Sequence, residues 1–118
     1  MNTQIEILLR NSVAYLKNAE PSKAQLLLKK ILELDKNNFD ALRVLGVIAA
    51  MEGDSELALD LTNQAISAMP GDPHAYLNRG NIYQSQYFLK ALSEITTRLF
   101  LFLPLQKLLV IKATHFNH

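Results

Sequence analysis

The side chains able to do chemistry are few and scattered. The three histidines are His74, His115 and His118. His115 and His118 are three apart, a spacing that places two imidazoles on one helix face, but no third ligand accompanies them. Glu52, Asp54 and Glu56 cluster in the sequence MEGDSE, where carboxylates suit the start of a helix better than a general acid–base pair. Neither a glycine-rich phosphate loop nor a GxSxG elbow occurs. With no cysteine, disulfides and thiolate metal sites are excluded, and the chain fits a reducing compartment such as the cytoplasm. Asn11-Ser12-Val13 is not a glycosylation acceptor. The expectation is a non-enzyme with no catalytic residues, metal or cofactor, whose chemistry is recognition.

Charge narrows the partner. Lys and Arg total 12 against 11 Asp and Glu, and Lys29-Lys30 is the one basic doublet. No basic patch interleaves with aromatics, so a nucleic-acid partner has little electrostatic support. The opening MNTQIEILLR lacks the basic region, apolar core and small-residue cleavage site of a signal peptide. A length of 118 residues bounds the chain to one domain.

The elements that would position such a surface repeat. Ser12, Gly46 and Gly80 fall at steps of 34, as do Leu8, Leu42 and Tyr76, and Tyr15, Ala49 and Tyr83. Ala24 and Ala58 keep the step, whereas Ala91 arrives after 33, one residue being absent from a turn expected around Gln86-Tyr87. Within each copy the apolar spacing is helical: Leu42, Leu45, Ile48 and Ala49 in one helix, Ala58, Leu61, Ala65 and Ile66 in the next. Glu20-Pro21 and Gly53-Asp54 separate the two helices of a pair. Pro21 suits a first helical turn, and Asp54 or Ser55 an N-cap. DKNNFD and PGDP separate one pair from the next. The alternation that strands require is not sustained.

The small residues imply packing. A glycine inside a helix costs about 1 kcal/mol relative to alanine. Gly46 and Gly80 should therefore sit where backbones approach, opposite small residues such as Ala58 and Ala65.

These matches resemble the tetratricopeptide repeat family, whose 34-residue helix–turn–helix motif carries Leu-Gly and Tyr in its first helix and two alanines in its second. The second copy supplies Leu42, Leu45-Gly46, Ala49, Ala58, Ala65 and Pro70. The first supplies Leu8, Tyr15 and Ala24, and the third Tyr76, Gly80, Tyr83 and Ala91. Departures are Ser12 for Gly, Lys36 for Pro, Thr62 for an aromatic and Arg79 for Leu. The resemblance implies an all-α fold, an α-solenoid of antiparallel helix pairs wound into a right-handed superhelix. Repeats would span about 5–38, 39–72 and 73–103, the last degraded, with an atypical tail at 104–118.

It also implies a peptide or partner protein held in a concave groove built from the first helix of each pair. The groove slots fall on Leu9 and Val13, flanked by Glu6 and Lys17; on Asp40, Arg43, Val47 and Met51; and on His74, Leu77, Asn81 and Gln84. Leu9, Val13, Val47 and Leu77 give the groove an apolar middle. Arg43 and Asn81 offer donors for a peptide carboxylate or backbone. The carboxylate clamp of chaperone-binding relatives needs Lys and Asn where this chain has Leu9 and Val13, which disfavours chaperone tails.

RLFLFLPLQKLLVI, residues 98–111, breaks the repeat. The apolar run 99–111 is 13 residues with Gln106 and Lys107 inside, short of the roughly 20 a bilayer needs. Starting from the codons that encode Glu94 to Phe100, a frame shifted by one base can spell NYDKAIS, which restores the tyrosine and alanine the repeat expects after KALS. The reading adopted is that the last 25 or so residues are an out-of-frame read of a longer array. An authentic apolar closing helix and a membrane-active tail are the alternatives, and the nucleotide sequence decides. Such a tail would expose apolar surface and promote self-association. The second functional reading is a truncated N-terminal repeat region of a larger enzyme of glycosyltransferase or sulfotransferase type.

Overall fold

The computed structural model describes residues 3–102. It is all-helical, with no strand among the described residues: α1 (Thr3–Lys17), α2 (Pro21–Leu34), α3 (Phe39–Met51), α4 (Ser55–Ala68) and α5 (Pro73–Phe102). Each helix packs on the next, the arrangement of an α-solenoid. A first compact unit ends at Tyr83 and a second begins at Gln84, within α5.

The turns inside the first two pairs share one solution. Ala19 and Gly53 both take positive φ, 59° and 84°. The following N–H groups reach back five residues, Glu20 to the Tyr15 carbonyl (2.8 Å) and Asp54 to the Ala49 carbonyl (2.9 Å). This left-handed cap satisfies carbonyls that the helix end would otherwise leave bare. Pro21 then opens α2 at a position that needs no N–H. Asp54 rather than Ser55 caps α4, its Oδ1 accepting the Leu57 N–H at 3.1 Å. Asn38 does the same for α3, accepting the Ala41 N–H at 3.0 Å.

α3 is the central helix. Ala41, Val44, Leu45 and Ile48 join Ala24, Leu28 and Ile31 of α2 in one core cluster, onto which Ile5, Leu8, Tyr15 and Leu16 of α1 pack. Burying a Leu or Ile side chain stabilises by about 1.5–3 kcal/mol. Leu42 meets Ala65 and Ala75, and Ala49 meets Ala58 and Ile82, so the first turns of α5 continue the stack.

At the small-residue column the structure separates the copies. Ser12 is fully buried and donates to the carbonyl of Leu9 at 2.7 Å, which satisfies its hydroxyl. Gly46 is buried against α4: a Cβ there would lie 2.9 Å from Thr62 Oγ1 and 3.4 Å from the Ala58 carbonyl. Thr62 is buried and donates to that carbonyl at 2.6 Å. The close approach inferred at Gly46 is present; the one inferred at Gly80 is not, because nothing lies within 4 Å of a Cβ built there.

The turn expected around Gln86-Tyr87 is also absent, since α5 runs unbroken from Pro73 to Phe102. The positions of Ala19-Glu20 and Gly53-Asp54 are matched by aromatics, Tyr87 and Phe88. A bulky residue resists positive φ, and Phe offers no side-chain oxygen for an N-cap. Gln84 to Leu92 contains no Gly or Pro, so the helix continues. Residues 104–118, assigned to the tail, lie outside the described residues.

Candidate binding surface

The groove positions fall on α1, α3 and α5, and none of their side chains is buried. Leu9, Arg43 and Val47 are half-buried; Val13, Asp40, Met51, His74, Leu77 and Asn81 are exposed. The alternating burial follows from the amphipathic spacing, which directs Val44, Leu45 and Ile48 into the core and leaves Arg43 and Val47 at its margin. Leu9 does double work, because its inner side packs on the core cluster. Gln84 is exposed and begins the second unit.

On α1, Glu6, Leu9, Val13 and Lys17 line one shallow depression of about 440 Å3, together with Arg10 and Ala14. Apolar floor and charged ends are what a partner with an apolar centre needs.

At the start of α5 the fold ties His74 to Asp72. Its Oδ1 accepts the His74 backbone N–H at 2.8 Å and lies 2.9 Å from His74 Nδ1. These two hydrogen bonds, in that order, hold the Asp72 carboxyl below the usual carboxylate range, and the charges of His74 and Arg43 push the same way. Asp72 is the residue that sequence reasoning missed. The available signal was an Asp directly before a helix-opening Pro, an N-cap placed to satisfy an orphan N–H.

Two further polar contacts tie down the frame. Arg79 donates to Asn63 Oδ1 on α4 at 3.1 Å and lies over the Tyr76 ring. Gln25 on α2 donates to Glu52 at 3.0 Å, linking the first pair to the second. No group of three or more metal-ligating side chains exists among the described residues. None of their helices is long and apolar enough to cross a membrane. No protein-family model matches the chain, and no curated protein matches it.

Proposed function

We propose that the protein is a non-catalytic, tetratricopeptide-like interaction module that holds an extended peptide or a partner helix along α1, α3 and the first turns of α5, working in the cytoplasm. The observation that carries the reading is the division of labour on these helices. One side is buried in the stack, while the positions the repeat would use for binding stay accessible and combine apolar residues with donors. Asp72 holds the His74 imidazole at the start of α5, and the half-buried Arg43 on α3 offers a guanidinium donor to a ligand carboxylate. Val47 and Leu77 add apolar area on the same two helices.

The test is selection of binding peptides from a displayed library on the immobilised chain, followed by titration against Arg43→Glu and Val47→Glu. Each variant is expected to weaken binding at least tenfold while circular dichroism stays unchanged. Selected peptides that bind both variants as tightly as the wild type would overturn the reading.

A further inference from the structure

Each of the first two pairs covers the small residue of its first helix with a second helix. α2 brings the buried Ala24 and Leu28 to the pair containing Ser12, and α4 brings Ala58 and Thr62 onto Gly46. The third first-helix stretch has no such cover. Gly80 is open, and Tyr76 and Tyr83, one turn to either side of it, are 42% and 52% exposed. These positions correspond to Leu42, Gly46 and Ala49, all buried in the second pair.

The missing cover is present in the chain's own sequence. Ala91, Ile95 and Leu99 stand 33 residues after Ala58, Thr62 and Ile66, the positions through which α4 covers its neighbour. In the second half of α5 they belong to an apolar stripe, Phe88, Leu92, Ile95, Leu99 and Phe102, spaced four, three, four, three. That spacing lets one helix lie along another whatever the origin of the sequence, and all five are exposed, Phe102 at 80%. No turn forms at Tyr87-Phe88, nothing lies within 4 Å of a Cβ built at Gly80, and the five stripe residues are exposed.

We infer that the occupant of the Gly80 face is a second copy of this chain, docked through residues 88–102 of its α5. The reason for choosing a second copy is reciprocity. Each chain carries one acceptor face and one donor helix, so a two-fold dimer covers both surfaces twice with the same contact. A foreign helix on the Gly80 face would leave the stripe bare. The glycine permits the backbone approach that Gly46 permits α4, and the stripe supplies the flanking apolar area. Arg98 falls where Ile31 and Ala65 are buried, and its aliphatic stem lies along the contact with the guanidinium at the rim. The acceptor face at Tyr76, Gly80 and Tyr83 lies on another side of α5 from the groove positions, whereas the donor stripe continues at steps of three and four the row of Leu77, Asn81 and Gln84. The dimer contact does not require that the groove bind a peptide.

The experiment uses the full chain and its lack of cysteine. Sedimentation across a concentration series is expected to show a monomer–dimer equilibrium. Gly80→Leu, a change into open space that leaves the monomer folded, should weaken the dimer at least tenfold; Ile95→Glu with Leu99→Glu should do the same. Mixing these two variants should restore association, since one retains its donor helix and the other its acceptor face. A Gly80→Cys, Ala91→Cys chain should oxidise to a covalent dimer, and neither single variant should. A wild-type monomer at about 100 µM overturns the inference. So does a dimer indifferent to Gly80→Leu, which would mean that the stripe pairs with itself, or a disulfide that closes within one chain.

Discussion

Gly46 and Gly80 occupy the same place in successive copies of one pattern, and their surroundings are opposite. At Gly46 the missing Cβ is the reason Thr62 and the Ala58 carbonyl fit where they do. At Gly80 the same absence meets nothing. A helix-interior glycine costs the same in both places, so the second pair offsets that cost with packing, and the third stretch does not. The difference does not arise at the glycine. It arises some seven residues on, where Gly53-Asp54 turns the chain back in one case and Tyr87-Phe88 carries the helix forward in the other.

Substituting the two glycines is the strongest way to break this contrast. Gly46→Leu must push α4 away and should destabilise by about 3 kcal/mol through overpacking. Gly80→Leu should change the stability of the isolated monomer little. The milder pair is more telling because its signs differ. Gly46→Ala places a Cβ 2.9 Å from Thr62 Oγ1, whose hydroxyl is already committed to the Ala58 carbonyl, and should cost about 1–2 kcal/mol. Gly80→Ala should stabilise by about 1 kcal/mol through helix propensity alone. Urea midpoints measured at low protein concentration, where chains are monomeric, check both. Equal shifts of the same sign would refute the contrast.

The turns give the next largest effect. Ala19 and Gly53 take the same left-handed conformation with the same cap bonds, but only one is glycine. Ala19→Gly should stabilise by about 0.5–1 kcal/mol by relieving the Cβ clash, and Gly53→Ala should destabilise by a similar amount. Thermal melts of the two variants should move in opposite directions from the wild type.

How far this could be read in advance differs by residue. The helices, the first two turns and the Gly46 contact were legible, because apolar period, Gly-Asp or Pro at the turns and the thirty-four-residue step all pointed the same way. Pattern failed at Gly80. Its match to Gly46 is a property of α5 alone, whereas a crossing also needs a second helix returned by a turn. The local chemistry of Tyr87-Phe88 withholds that turn, and a repeat alignment weighs such local chemistry too lightly. Among the groove positions, the periodicity placed Arg43, Val47, His74 and Leu77 on the accessible side. It did not disclose that Asp72 holds His74, because hydrogen bonds of an N-cap side chain leave no periodic trace.

The smallest effect concerns Asp72, and it sharpens the comparison by asking whether the start of α5 is as well fastened as that of α4. Both begin with an Asp whose carboxylate caps the helix. At Asp72 the His74 N–H, its ring and the Arg43 charge together lower the folded-state pKa. A carboxyl that binds its proton less readily in the folded state contributes stability fully present above its unfolded value, about 3.9. That contribution is lost as pH falls through the lower folded value. Asp72→Asn keeps a capping oxygen but removes the charge, so it should be less stable than wild type at pH 6 and converge on it as pH falls below about 4. Raising the salt concentration should narrow the gap at pH 6, since the His74 ring is solvent-exposed. A gap that persists unchanged to pH 2 would mean that shape, and not charge, fixes this end of α5.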